Sequence, residues 1–194
     1  LSEALGNERE SKFEPLYRAL IRKKDADLSE LTVRIKKCAQ ENSYQPIFGS
    51  GFPAAEVILI KGAPGREEIG GVSFQGVEGK AIWQASRRLD LNLAFLYGTN
   101  VPKCKGCSGK KCLEFLREEI EIIEPQLLVV LGGKPFQAVR EVYKQDWSYQ
   151  PGQVVECCNF QVLISYDIGL ALKNRLLKRE LWEHLKLVKK MLGG

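Results

Sequence analysis

AEVILIKGAPGREEIGGVSFQGVEG, residues 55–79, moves from a largely apolar run into a stretch with six glycines and one proline. The run ending at Ile60 has the length and β-branching of a buried strand. The glycines that follow describe a shaped loop, one that lets backbone approach a bound group closely. KAIWQASRRLDL (80–91) then reads as a helix, and LAFLYGT (93–99) as a second strand. The alternation continues. CLEFLREEIEIIEP (112–125) carries Leu113, Leu116, Ile120 and Ile123 on one helical stripe, stopped by Pro125. QLLVVLG (126–132) is a third strand, a helix runs from Pro135 to about Tyr143, and FQVLISY (160–166) is a fourth strand. Leu177, Leu181, Leu185 and Val188 give the last helix its apolar face. Strands alternating with helices predict a parallel sheet covered on both faces. The expected architecture is α/β: a three-layer α/β/α sandwich around a central parallel four-stranded sheet. Ligands of such sheets sit at the carboxyl ends of the strands. Here those ends open into KGAPG, TNVPKC and SYDIG.

The regions outside this pattern are less regular. Residues 1–27 are polar and charge-rich around LYRALI, and read as an N-terminal arm or peripheral helix. LSELTVRIKKC (28–38) spaces Leu28, Leu31 and Ile35 on one helical face behind Asp27, a candidate N-cap. The main domain is therefore expected over 28–194. A chain of 194 residues with 44% hydrophobic and 27% charged content suits one globular core. No stretch approaches a membrane span and no secretory signal pattern is visible, so a cytoplasmic protein is expected. A net charge of +5 permits an anionic partner without requiring one. Six cysteines need a reason in a reducing compartment. Cys38, Cys104, Cys107 and Cys112 read as possible metal or cluster ligands, and the adjacent Cys157 and Cys158 as strand residues.

From about Leu28 to Leu192 the chain resembles the uracil-DNA glycosylase superfamily, most closely its iron–sulfur branch, family 4. The similar pieces run in the family's order: LSELTVRIKKC, IFGSGFPAAEVILI, KGAPGREEIGGVSFQGVEG, TNVPKC, CLEFLREEIEIIEPQLLVVLG and SYDIGLALKNRLLKRELWEHL. The resemblance implies a base pocket at Gly62, Ala63, Pro64, Gly65, Phe74 and Asn100. Phe74 falls at the family's base-stacking aromatic, and Asn100 at the amide that reads the base edge. Without the resemblance, Phe74 reads as core and Asn100 as a turn residue. It also implies DNA as partner, with Lys61, Lys173, Arg175, Lys178 and Arg179 as candidate phosphate contacts. The last four read equally as the solvated start of the terminal helix, and Lys61 as a cation that meets a phosphate, pairs with Asp167 or lies in solvent. For the cysteines it implies a [4Fe–4S] cluster on Cys38, Cys104, Cys107 and Cys112, with zinc or four unliganded thiols as the alternatives. The family's second cluster cysteine falls on Glu41 or in a gap, and Cys107 takes its place.

The departures bear on chemistry. The family pattern GEAPG carries a glutamate that positions the attacking water, and T-Y-H-P carries a histidine that stabilises the departing base anion. Those positions are Gly62 and Asp167 here, and the glycine before the glutamate is Lys61. The proline of G-x-P-F-x-G-x-A-G is Ser73. His184, the one histidine of the chain, falls on the last helix and reads as a surface residue. An aspartate where the base anion forms repels it unless protonated. Asp167 is thus the one candidate catalytic residue left at the motif positions. The expected function is a superfamily member acting on or binding DNA in base excision repair, with weak or altered glycosylase activity. The alternative is an inactive DNA- or protein-binding module on the same fold. A small-molecule enzyme on an unrelated doubly wound fold is disfavoured by the motif order.

Overall fold

A computed structural model describes residues 2–68, 71–105 and 109–193, with side chains from Glu14 onward. The chain forms α1 (Ser2–Glu41), β1 (Ser50–Gly51), β2 (Val57–Lys61), α2 (Val77–Arg88), β3 (Leu96–Asn100), α3 (Lys110–Ile123), β4 (Leu127–Leu131), α4 (Gly133–Val142), β5 (Val154–Cys157), β6 (Phe160–Ser165), α5 (Ile168–Lys173) and α6 (Arg175–Met191).

The sheet has six strands in the order β1-β3-β2-β4-β6-β5. The inner four, β3-β2-β4-β6, are parallel, as expected from sequence. The expected count of four is corrected by two short antiparallel edges, β1 on β3 and β5 on β6. Both are too short to show a period in the sequence. β5 closes as a hairpin through Cys158 at φ 52, so Cys157 is a strand residue while Cys158 is a turn residue.

Alternate side chains of the parallel strands supply two cores. Ile58, Ile60, Leu128, Val130, Val162 and Ile164 face α3 and α4, against Leu116, Ile120, Phe136 and Val139. Val57, Leu59, Val129, Leu131 and Leu163 face α2, α5 and α6, against Ile82, Ile168, Leu181, Leu185 and Val188. The layers are therefore α/β/α. Both faces of β2 and β4 are dry, which is why VILI and LLVVL read as unbroken apolar runs. From β2 the chain returns through α2 to β3 on one side. From β4 it returns through α4 to β6 on the other. This reversal opens a crevice at the carboxyl ends of β2 and β4.

α1 is one helix across the boundary expected at residue 27, and Asp27 lies inside it rather than capping it. Leu16, Tyr17 and Leu20 are exposed. Attachment begins at Lys24, which is buried, donates to the Ile123 carbonyl at 2.7 Å and pairs with Glu124 at 2.8 Å, closing the carboxyl end of α3. Leu31 and Ile35 then pack on Phe115. Among the described residues no helix is long and apolar enough to cross a membrane.

Candidate active site

The glycine-rich loop is organised by a carboxylate. Glu68, on a short 3-10 turn after β2, has no exposed surface. It accepts the Gly65 N–H at 2.8 Å, the Phe74 N–H, and the Lys61 ammonium at 2.7 Å. Charge-assisted bonds of this kind hold a backbone loop tightly. Lys61 also pairs with Glu78, in the first turn of α2, and its Nζ lies 5.4 Å from the centre of the Phe74 ring. Its side chain is 3% exposed, so Lys61 is an internal counter-ion. This corrects its expected place as a phosphate contact: the two carboxylates hold the ammonium inside, and neither is Asp167.

Phe74 sits at φ 61, a strained backbone conformation for an aromatic residue, fixed by the Glu68 bond to its own N–H. Its ring lies on Gly98 of β3, where any Cβ would overlap it. Asn100 ends β3 beside Lys61, to which it is paired in register. It is buried, and its Nδ2 donates to Ser73 Oγ at 3.1 Å, while its Oδ1 has no hydrogen-bond partner. A buried unpaired acceptor is costly. Below it runs a closed buried network. Lys103 pairs with Glu119 and donates to Thr99 Oγ1 at 2.6 Å, and Glu119 also accepts from Tyr97 and Thr99. Burial, with the Glu119 charge beside it, pushes the Tyr97 hydroxyl far above its ordinary value.

Asp167 follows β6 and caps α5, its Oδ1 accepting the Leu170 N–H at 2.8 Å. It packs against Gly132 at the end of β4, where φ is 111 and a Cβ would come within 3.1 Å of the Asp167 Cβ. A Cβ on Gly169 would lie 2.8 Å from a Glu78 oxygen and 3.3 Å from an Asp167 oxygen, so both carboxylates border this glycine. Gly62 is buried and faces α4: a Cβ there would meet Lys134 at 3.1 Å and Pro135 at 3.3 Å. With exposed Ala63 it lines a cavity of about 510 Å³ that includes Val101, Pro102 and Cys112. Pro64 and Gly65 continue to the Glu68 turn, half-buried. The Val101 N–H bonds the Lys61 carbonyl at 3.0 Å, tying the second loop to the first. The loops after β2, β3 and β6 thus converge, as the strand order requires.

His184 is corrected from a surface residue to a buried one. Its Nδ1 lies 2.8 Å from Ser165 Oγ and its ring stacks on Tyr166 at 5.6 Å. Burial lowers its pKa, with Glu180 and Glu183 opposing. It props the β6 end from beneath, just before the Asp167 motif position. Lys173, Arg175, Lys178 and Arg179 are exposed. The last three border an apolar groove of about 950 Å³ between α2 and α5–α6.

Cys104 and Cys112 are buried together with Ala39. The Lys103 N–H points at Cys112 Sγ, 3.5 Å away. Cys38 precedes Ala39 but packs toward Leu31, Ile35 and Phe115. Cys107 lies outside the described residues. Among the described residues no three Cys, His, Asp or Glu side chains stand close enough to hold a metal ion. The described thiols therefore fit a cluster site only in part: two are in place, one backbone donor is aimed at a sulfur, and a complete ligand set is absent.

Sequence reasoning missed the partnership of Lys61 with Glu78. The signal was present. Lys61 occupies a glycine position and Glu78 an alanine position of the motif, and two departures of opposite charge meet in space.

Residues 48–186 match the Uracil DNA glycosylase superfamily. The type-4 uracil-DNA glycosylase of Sulfurisphaera tokodaii is 26% identical over 188 residues, covering 84% of this chain and 83% of that protein. That of Archaeoglobus fulgidus is 27% identical, covering 63% of this chain and 66% of that protein. That of Pyrobaculum aerophilum is 27% identical, covering 60% and 66%. With the motif order and the convergence of three loops at one end of a parallel sheet, these matches assign the fold and the family together: the chain belongs to the uracil-DNA glycosylase superfamily and is of the family 4 type.

Proposed function

We propose that this protein acts on DNA in base excision repair, holding a nucleotide at the Phe74–Asn100 pocket while excising uracil poorly. One observation carries this reading. Phe74 and the unpaired Asn100 acceptor lie together at the convergence of the loops, whereas Gly62 offers no carboxylate and Asp167, one oxygen of which caps α5, offers no imidazole. Uracil leaves as an anion, and a carboxylate beside the leaving group raises that barrier. The relatives named above are uracil-DNA glycosylases. Against the family pattern, this chain keeps Phe74 and Asn100 and carries Gly62 and Asp167 at the two catalytic motif positions.

DNA is approached through Lys173, Arg175, Lys178 and Arg179, all solvent-facing at the α5–α6 end of the convergence. Four neutralised phosphates give a log–log salt slope of about −3 to −4. Charge reversal of Lys178 and Arg179 should weaken binding to a duplex oligonucleotide and flatten that slope. Unchanged affinity and slope would show that these side chains are only a solvated helix start. A second reading, a module that binds DNA without cutting it, is favoured by the Lys61–Glu68–Glu78 pairing, which fills the pocket with satisfied charges.

The cofactor that goes with this reading is a [4Fe–4S] cluster on Cys38, Cys104, Cys107 and Cys112, supported by the joint burial of Cys104 and Cys112. Bound there, it ties the end of α1 to the β3–α3 connection and supplies structure. Anaerobically purified protein should be brown, with broad visible absorbance. Colourless protein carrying one zinc per chain would replace the cluster with zinc.

A further inference from the structure

Where the loops converge, three carboxylates gather near one ammonium, which leaves a net negative charge. Glu68 and Glu78 share a single ammonium, that of Lys61, and Asp167 stands beyond Glu78. Glu68 is fully buried and is answered by Lys61 and two backbone N–H groups. Glu78 shares the same ammonium but keeps its side chain 26% exposed. Asp167 borders Glu78 across Gly169. Asn100, paired in register with Lys61, keeps a buried, unpaired Oδ1, with its amide nitrogen on Ser73, the residue before Phe74. The ring already faces one cation. The set therefore suits a flat ligand that is positively charged and offers an N–H donor.

Among nucleobases that description fits a purine alkylated on a ring nitrogen. Such a base carries a positive charge in DNA and has an exocyclic amino group. It also leaves as a neutral molecule, so no anion needs stabilising. Building on the reading that the protein acts on DNA bases, we propose that the preferred substrate of this site is a cationic N-alkylated purine, with Glu78 and Asp167 facing the charge and Asn100 Oδ1 accepting from the amino group. In the reaction the C1′–N bond breaks with its electron pair going to the base nitrogen, which neutralises the base. The positive charge passes to the sugar, where the same carboxylates stabilise it. Water then adds its oxygen to C1′ and gives up a proton to Glu78 or Asp167. The products are the neutral alkylpurine and an abasic site, and no oxidant or further reactant is needed.

The test uses the full chain and three duplex oligonucleotides that differ at one position, holding 7-methylguanine, guanine or uracil. Base release is read by chromatography under single-turnover conditions, and binding of each duplex by anisotropy. Release of 7-methylguanine is expected at about 10²-fold or more above its spontaneous rate, with uracil at least about 10-fold slower. Asp167→Asn with Glu78→Gln should remove about 10²-fold of the methylguanine rate. Asp167→Asn alone, which keeps a capping acceptor for α5, serves if the pair fails to fold. Duplex binding without methylguanine release above the spontaneous rate would overturn the proposal and leave the DNA reading standing. Absence of duplex binding would overturn both. Undiminished release by a folded carboxylate variant would overturn the assigned roles.

Discussion

Lys61 ends β2 with its ammonium between Glu68 and Glu78 and above Phe74. Removing one partner of a buried ion pair strands the other, at about 3 to 5 kcal/mol. Lys61→Met should therefore lower the unfolding free energy by an amount of that order, read from the shift in urea midpoint, and Lys61→Met combined with Glu68→Gln should recover part of it. A Lys61→Met midpoint equal to that of the parent would mean the ammonium is solvated after all. His184 gives a pH signature. Burial lowers its folded pKa below the ordinary 6.5, so at pH values between the two the unfolded chain binds the extra proton. Its contribution is thus present above about pH 6.5 and is lost as pH falls toward the folded value. The difference in melting temperature between the parent and His184→Gln should shrink from pH 7.5 to pH 5. A constant difference would place the imidazole in water. Cys157 is a further residue-scale check, because burial and its Cys158 neighbour push its thiol up to about 12. A maleimide should label exposed Cys158 in the native protein, and Cys157 only after unfolding.

At the scale of elements, α1 is held by Lys24 at the end of α3 and by Leu31 and Ile35 on Phe115. Phe115→Ala removes the side chain on which both rest and should cost about 3 to 5 kcal/mol. Lys24→Ala should cost about 1 to 3 kcal/mol through the lost Ile123 and Glu124 contacts. Equal midpoints for the parent and Phe115→Ala would detach α1 from the core. The central strands were legible because burial on both faces writes them as pure apolar runs, as in VILI and LLVVL. α3 was legible from its stripe of Leu116, Ile120 and Ile123. β1 has two residues and β5 has four, so neither carries a period. Asp27 reads as a cap by type, but the turns on either side of it are helical, and nothing local distinguishes a cap from a solvent-facing aspartate. In the candidate site, the strand-end places of Asn100 and Asp167 were legible from the runs before them. The Lys61–Glu78 and Ser165–His184 contacts were not, because they join elements that only the folded sheet brings together.

At the scale of the whole molecule, three loops meet at one end of a parallel sheet and bring Phe74, Asn100, Gly62 and Asp167 there, with no imidazole or glutamate at the last two positions. Restoring those two groups reverses the charge logic. Gly62→Glu points its side chain at Lys134 and Pro135, so it requires some adjustment of α4. Asp167→His sacrifices the α5 cap, worth about 1 kcal/mol. Both changes are small beside the factors of 10² to 10⁴ that such groups contribute to rate. The most direct measurement is single-turnover release of uracil from a duplex oligonucleotide by the parent chain and by the Gly62→Glu, Asp167→His variant. Excision near background by the parent, rising at least about 10²-fold in the variant, is the predicted result. Robust uracil release by the parent that Asp167→Ala abolishes would contradict the account and make Asp167 a catalytic residue for uracil.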